Sequence, residues 1–217
     1  MNKQDVLRRV EEVGIVPVVR ASSAEEALQV VEAIKAGGIP ILEITMTVPR
    51  ALRVIEQVAD RYSDEVIVGA GTVLDAETAR ACILAGARFV VSPSLNVKTI
   101  EMCRRYSVAV LPGALTPTEV INAWSAGADV VKVFPCGALG GAKYLKSLKA
   151  PLPQVLIIPT GGVSLANAVE FIEAGALALG VGADLVDTKA IRLGQTEKVT
   201  EAARAYLAAV REARRVP

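Results

Sequence analysis

The sequence predicts an α/β protein folded as a single-domain (β/α)8, or TIM, barrel over residues 1–217, with an extra helix at its N-terminus. Two observations carry this prediction. Short apolar, β-branched runs recur about every 20 to 26 residues, and segments with helical periodicity lie between most of them. The runs also lack polar alternation, which is typical of parallel strands covered by helices. Eight such strands in 217 residues favour a compact barrel.

The predicted strands are all short and apolar. They are IVPVVR (15–20), ILEIT (41–45), VIVGAG (66–71), FVVSP (89–93), AVLPGAL (109–115), VVKVFP (130–135), LIIPTGG (156–162) and ALALGVG (176–182). A doubly wound open sheet is the alternative, because periodicity alone does not exclude it. Its nucleotide signature is poor, since the nearest motif, 180–185, has Leu185 in place of a third small residue and comes last in the chain.

The helices are predicted from their apolar stripes and their ends. An N-terminal helix is expected over 1–14 and a final helix over 196–215, each with apolar residues on one face. Ser23 and Glu26 fit a capping box at the start of the helix after the first strand. Several helices end in AGG or AGA, where the glycine supplies a left-handed C-cap before the next strand.

Composition restricts the classes of partner. Lys and Arg number 24 against 23 Asp and Glu, so no global field attracts nucleic acid or an anionic membrane, and we expect small-molecule partners. No apolar run reaches the roughly 18 residues that a membrane span needs. The three cysteines suit a reducing compartment better than a disulfide framework, which predicts a cytoplasmic location.

The chain contains no histidine. Imidazole-based metal sites, Ser-His-Asp triads and Cys-His dyads are therefore excluded. Acid/base chemistry must use carboxylates, Lys, Tyr, Cys or water, and we expect neither a metal nor another cofactor.

In a barrel, functional side chains lie where strands end and the following loops begin. The polar residues and glycines at those positions are Arg20, Glu43, Thr45, Thr47, Thr72, Ser92, Thr116, Lys132, Thr160, Gly161, Gly162, Gly180 and Gly182, together with Pro93.

Lys132 and Glu43 are single charges inside otherwise apolar strands. A charge pointing outward under the helices would be unpaired and costly, so both are expected to face the barrel interior and lie near each other. A buried structural ion pair is one interpretation. The other is covalent catalysis, in which burial disfavours the charged lysine, the neutral amine attacks a ketone, and Glu43 moves protons.

A second subsite is predicted for an anion. PTGGVS (159–164) and GVG (180–182) end the seventh and eighth strands, where barrels often bind phosphate through backbone N–H groups. Arg20, at the end of the first strand, is a candidate clamp for a carboxylate or phosphate. Turn glycines and a surface arginine without a ligand are the alternative interpretation.

With these motifs in place, the sequence resembles the 2-keto-3-deoxy-6-phosphogluconate (KDPG) aldolases, including members that also cleave 2-keto-4-hydroxyglutarate (KHG). The resemblance covers nearly the whole chain, and LEITMTVP together with VVKVFP is its most specific part. It implies a class I aldolase without metal, usually a homotrimer, that releases pyruvate and glyceraldehyde 3-phosphate. A 4-hydroxy-2-oxo acid or a related sugar acid is the alternative substrate, and a non-catalytic phosphate-binding barrel the alternative class.

The resemblance also assigns residues. Lys132 would form the Schiff base and Glu43 would be the acid/base, while Thr72 and Pro93 match positions at the pyruvate end. By the same resemblance Phe134 flanks the lysine, and Gly161 and Gly162 match the phosphate loop. Thr160 and Gly182 are candidate substrate-binding residues from their positions at the strand ends.

Two positions depart from the pattern of many members. Thr47 stands where some members carry an arginine for the substrate carboxylate, and Arg20 is the candidate replacement. Ala183 stands where many have a phosphate-binding serine.

Overall fold

The computed structural model describes residues 1–215. The strands are β1 (Ile15–Val19), β2 (Ile41–Thr45), β3 (Ile67–Gly71), β4 (Phe89–Val91), β5 (Ala109–Leu111), β6 (Gly113–Ala114), β7 (Val131–Val133), β8 (Ile157–Pro159) and β9 (Leu179–Val181). The helices are α1 (Lys3–Val13), α2 (Ala24–Ala36), α3 (Ala51–Tyr62), α4 (Ala76–Leu84), α5 (Val97–Arg105), α6 (Pro117–Ser125), α7 (Ala142–Lys149), α8 (Ala168–Glu173), α9 (Thr188–Arg192) and α10 (Thr196–Ala213). Two 3₁₀ turns, Cys136–Leu139 and Leu165–Asn167, complete the set.

The strands form a closed parallel ring. One sheet runs in the order β5-β4-β3-β2-β1-β9 and the other in the order β6-β7-β8. Pro112 alone separates β5 from β6, and a parallel bridge between Thr160 and Gly180 joins β8 to β9. The barrel prediction is therefore confirmed, and closure of the ring removes the open-sheet alternative.

Each of the eight predicted apolar runs contains a strand, but the fifth run contains two. Proline has no N–H to donate to a ladder, so regular pairing stops at Pro112. The Pro112 carbonyl instead accepts a hydrogen bond from the backbone N of Lys132 (2.9 Å). This contact keeps β7 in place beside the strand that Pro112 interrupts between β5 and β6.

The N-terminal helix closes one end of the barrel. Val6, Val10 and Val13 of α1 are buried, and the helix packs against β1, β2 and β5. The Nζ of Lys3 lies 2.8 Å from a carboxylate oxygen of Asp129, whose other oxygen accepts from the Val110 backbone N (3.0 Å). The opposite end, where the strands finish, is left for a site.

Helix ends follow the sequence signals in most cases. The glycines of the AGG and AGA motifs have φ between 93° and 99°, as predicted, at Gly38, Gly86, Gly127 and Gly175. The capping-box prediction for α2 was wrong in one half: Ser23 accepts from the Glu26 backbone N, but the Glu26 carboxylate bonds to Ser22 instead of the Ser23 backbone. Helix α9 was not predicted from the sequence.

Candidate active site

Lys132 and Glu43 meet inside the barrel. They lie on β7 and β2. Because β5 and β6 together occupy one position of the eight-membered ring, β7 is at the sixth position and β2 at the second, on opposite sides of the barrel. Lys132 Nζ is 3.9 Å from Glu43 Oε1, and the two residues are 4% and 2% exposed. The structure therefore places both charges facing inward, as the apolar composition of their strands predicted.

Glu43 has an unsatisfied oxygen. Its Oε1 is buried and has no hydrogen-bond partner among residues 1–215. Buried carboxylate oxygens are normally paired, because a lone one loses its hydration without compensation. The orphan oxygen points to a molecule from outside the chain, such as a water or a substrate hydroxyl.

Gly71 provides the space that the Glu43 carboxylate occupies. It ends β3 and pairs in register with Thr45 of the neighbouring strand. A Cβ on Gly71 would lie 2.5 Å from Glu43 Oε1 and 2.8 Å from its Cδ. Any side chain larger than glycine would therefore displace the carboxylate.

The next residue, Thr72, has a strained backbone. Its φ is 58°, in the left-handed region that a β-branched residue rarely adopts. Val73 is fixed by a hydrogen bond from its N to the Val91 carbonyl (3.1 Å), which helps hold this conformation. Strain of this kind costs about 1 to 3 kcal/mol and often marks a ligand site. The strained Thr72 directly follows Gly71, the residue that packs against the Glu43 carboxylate.

Pro93 lies against Gly113 of β6, the strand next to the one that carries Lys132. Gly113 pairs in register with Lys132, and a Cβ on Gly113 would lie 2.2 Å from the carbonyl carbon of Pro93. Ser92 supports this close approach, since its hydroxyl donates to the Ser94 carbonyl (2.6 Å). The loop that carries Pro93 is therefore packed onto the strand next to the lysine.

Phe134 lies between Lys132 and a cavity at the ends of the strands. Its ring centroid is 5.3 Å from Lys132 Nζ, and the ring lies 3.3 Å from where a Cβ on Gly161 would be. Gly161 and Gly162 have φ of 81° and 82°. The Gly137 backbone packs against Gly162 so closely that a Cβ on Gly162 would be 2.8 Å from Gly137 Cα.

This cavity, called the anion cavity below, has a volume of about 240 Å³ and lies at the ends of β1, β7, β8 and β9. It is lined by Arg20, Phe134, Thr160, Gly161, Gly162, Val163, Gly180, Gly182, Ala183 and Asp184. The structure thus brings together six of the predicted binding residues. The other three, Thr47, Thr72 and Pro93, do not line this cavity.

Thr47 is exposed, and its hydroxyl is already engaged. The Thr45 hydroxyl donates to the Val19 carbonyl (3.0 Å) and lies 2.7 Å from the Thr47 hydroxyl. Since the Thr45 proton is used, Thr47 is the donor of this second bond. In this arrangement Thr47 can accept a hydrogen bond from a ligand but cannot donate one to a substrate carboxylate.

Asp184 is a wall residue that sequence reasoning missed. Its Oδ1 accepts from the Leu165 backbone N (2.9 Å) and from the hydroxyl of buried Tyr206, a contact that helps raise the tyrosine pKa together with burial. Only its position next to GVG could have drawn attention to it. Ala183 adds no hydroxyl to the same wall.

No cation site accompanies these residues. Within the described range, no three carboxylate or thiol side chains are grouped in a way that could hold a metal ion. The chemistry that the residues themselves support is that of a buried amine and a buried carboxylate facing each other, beside a cavity lined by the guanidinium of Arg20. This arrangement defines a β/α barrel suited to lysine-dependent carbonyl chemistry.

Comparison with known proteins names the family. The family described as "KDPG and KHG aldolase" matches residues 6–202. The 2-dehydro-3-deoxy-6-phosphogalactonate aldolase of Escherichia coli K12 is 35% identical over 201 residues, covering 92% of this chain and 95% of the relative. The chain belongs to the KDPG and KHG aldolase family.

Solved structures agree in fold. The KDPG aldolase of Legionella pneumophila, with pyruvate captured as a covalent carbinolamine intermediate, has a TM-score of 0.84 at 29% identity and covers 92% of this chain and 97% of its own. A cube-shaped cage designed by fusing symmetric oligomeric domains has a TM-score of 0.86 at 33% identity, covering 94% of this chain and 74% of its own. Within residues 1–215, no helix combines the length and apolar character needed to cross a bilayer.

Proposed function

We propose that this protein is a class I aldolase that cleaves 2-keto-3-deoxy-6-phosphogluconate to pyruvate and glyceraldehyde 3-phosphate through a Schiff base on Lys132. The observation that carries the proposal is the buried pair of Lys132 and Glu43, with one carboxylate oxygen left without a partner. Lys132 is the only buried lysine of residues 1–215. The covalent carbinolamine of the Legionella relative supports the same chemistry.

The reaction needs an amine, a proton carrier and water. The neutral Lys132 amine adds to the C2 ketone to give a carbinolamine, whose hydroxyl takes a proton from the Glu43 carboxyl and leaves as water, giving a protonated imine and a Glu43 carboxylate. Glu43 then removes the proton of the C4 hydroxyl. The C3–C4 bond breaks, its electron pair moves toward the imine as an enamine forms, and the aldehyde leaves. Protonation of C3 and hydrolysis of the imine release pyruvate and the amine.

Burial serves this sequence of steps. Phe134 and the valines beside Lys132 shield the amine from bulk solvent, so the substrate ketone can approach it without competing water. A carboxylate 3.9 Å away is close enough to reach a proton on the bound substrate directly or through one water. Thr72 and Pro93 are proposed to line the pyruvate end, on either side of the pair.

The cavity next to Phe134 is proposed to hold the distal end of the substrate. Thr160, Gly161, Gly162 and Gly182 would offer backbone groups to the phosphate, and Arg20 its positive charge. Thr47 would contribute only as a hydrogen-bond acceptor. Because Ala183 supplies no hydroxyl, a coupled assay should compare phosphorylated and unphosphorylated 2-keto-3-deoxy acids with 4-hydroxy-2-oxoglutarate.

Reductive trapping tests the covalent step. Incubation with pyruvate and borohydride should add one reduced pyruvate, mapped by peptide mass spectrometry to Lys132. Lys149 is the control lysine: burial lowers its pKa, but its Nζ donates to the carbonyls of Pro153 and Val155. An unmodified Lys132, or equal labelling of both lysines, would refute the proposal.

Replacement of the carboxylate tests the proton carrier. Glu43→Gln keeps the shape of the side chain, so it should retain the fold while turnover falls by about 10²- to 10⁴-fold. Trapping of pyruvate should be slowed as well, because carbinolamine dehydration needs a proton. Turnover within a few-fold of the wild type would remove Glu43 from this role.

The oligomeric state and the cellular location of the protein are proposed as well. We propose a homotrimer of single-domain chains in the cytoplasm; the relationship to a component of a cage built from symmetric oligomeric domains is consistent with a symmetric assembly. Analytical ultracentrifugation should give three times the 22.7 kDa chain mass. A monomer or dimer at micromolar concentration would contradict the trimer.

A further inference from the structure

We infer that Glu26 is a positioning residue for the anion cavity, because it ties the loop that carries Arg20 to helix α9, which follows the GVG loop. This inference rests on the proposed function. It concerns a residue on α2 that does not itself line the cavity.

The Glu26 carboxylate joins two segments that are far apart in sequence. Its Oε2 accepts from both the backbone N and the hydroxyl of Ser22, the latter at 2.7 Å. Its Oε1 accepts from the Arg192 guanidinium at 2.7 Å. Glu26 is 5% exposed, and both of its oxygens are used, so the carboxylate is a fixed internal link and not a solvated surface group.

Both linked segments continue directly from residues that line the cavity. Ser22 follows Arg20 by two residues, and Arg192 ends the helix after the connection that begins at Gly182. The Arg20 guanidinium lies over that connection, with Nη1 3.3 Å from where a Cβ on Gly182 would be. Holding Ser22 and α9 together therefore sets how far Arg20 reaches across the cavity.

Arg20 depends on this support because it has no ionic partner of its own. None of the ion pairs formed among residues 1–215 includes it, and its side chain is exposed. A free cation facing a cavity can bind an anion, but a long side chain loses rotamer freedom when it does so. Fixing the backbone two residues away reduces the remaining disorder that binding must overcome.

The local helix does not account for the orientation of Glu26. At the third position of α2 a glutamate usually caps the helix by bonding back to the N-cap backbone N. The same chain completes such a box at Asn2 with Asp5 and at Thr116 with Glu119. Glu26 instead bonds to Ser22 and Arg192, which favours a role in joining the two walls.

Steady-state kinetics of Glu26→Gln test the inference. The variant keeps an oxygen for Ser22 but loses the ion pair with Arg192, so KM for the phosphorylated substrate should rise about tenfold with kcat changed less than about twofold. Exchange of pyruvate methyl protons in D₂O, followed by NMR, reports the Schiff-base end separately. Should Glu26→Gln not fold, Arg192→Met breaks the same link from a half-exposed side chain.

The control and the double variant decide between positioning and general stability. Glu32→Gln removes another α2 carboxylate with an arginine partner at 2.7 Å, Arg61, far from the cavity, and should leave KM unchanged. In an Arg20→Ala background, Glu26→Gln should change KM by less than about twofold, because its effect acts through Arg20. An equal rise in both backgrounds, or no rise in the wild-type background, would overturn the inference. Wild-type protein that exchanges no pyruvate protons would instead refute the Schiff-base function.

Discussion

Gly71→Ala displaces the carboxylate of Glu43, the proposed acid/base, without changing its chemistry. The added Cβ would stand 2.5 Å from Glu43 Oε1, so the oxygen must move by roughly 0.9 Å to restore ordinary van der Waals separation. Small-to-large changes in a packed core cost about 1 to 3 kcal/mol of stability. A misplacement of about 1 Å in a reacting group can cost on the order of 10²-fold in rate. We expect kcat for cleavage to fall by about that factor in a folded protein.

A neighbouring glycine supplies the matched control. Gly69 lies two residues earlier on the same face of β3, and a Cβ there would lie 2.3 Å from the Phe89 ring instead of the carboxylate. Gly69→Ala should therefore lose comparable stability, measured by urea unfolding, with a much smaller loss of kcat at a temperature where both variants are folded. If Gly71→Ala kept wild-type kcat, or if both variants lost activity equally, the carboxylate would not be where the reaction needs it.

Three further predictions concern burial, charge and capping. Burial raises the pKa of all three thiols, to about 12 for Cys82 and Cys103 and to about 11 for Cys136. The native protein should therefore resist alkylation of its cysteines at pH 8. Rapid labelling of the folded protein would contradict this prediction. Burial of Glu26 raises its pKa, but hydrogen bonds from Ser22 and Arg192 outweigh burial and hold the pKa below its usual 4.5. The wild type should therefore be more stable than Glu26→Gln by the full amount at neutral pH, and this difference in unfolding free energy should shrink below about pH 4.5. An equal difference at pH 7 and pH 3 would refute the prediction. Thr116→Ala removes the N-cap hydroxyl of α6 and should cost about 1 kcal/mol in chemical unfolding, with no change in m; an unchanged midpoint would mean that the cap is redundant.

The strands could be predicted because each carries its own signal. A short apolar run between glycine-ended helices has few alternatives to a buried parallel strand, and a lone charge in such a run has only the interior to face. This reasoning is sufficient to pair Lys132 with Glu43, which are 89 positions apart, from the sequence alone. The pairing needed only the residue types and the alternation of side chains along a strand.

The support around the site could not be predicted in this way. Glu26 bonds to a residue 166 positions away, and Asp184, in the turn after β9, bonds to Tyr206 of α10. These contacts exist only after the ring has closed. A local rule assigned Glu26 to a capping box, and the tertiary contact with Arg192 competed successfully. The left-handed Thr72 likewise has no sequence signal, since nothing in a threonine distinguishes a strained position from an ordinary one.

The two ends of the proposed site lie on different kinds of structure: the Lys132 end lies on strands, and the distal end lies on loops. Lys132 and Glu43 stand on strands whose neighbours are buried, so their separation is fixed by the sheet itself. The distal cavity is lined mainly by loop residues that follow the strands, and its arginine is held indirectly through Glu26. Substitutions in those loops can therefore alter which aldehyde end is accepted while the Lys132–Glu43 pair keeps its geometry, because loops tolerate change that a barrel interior does not.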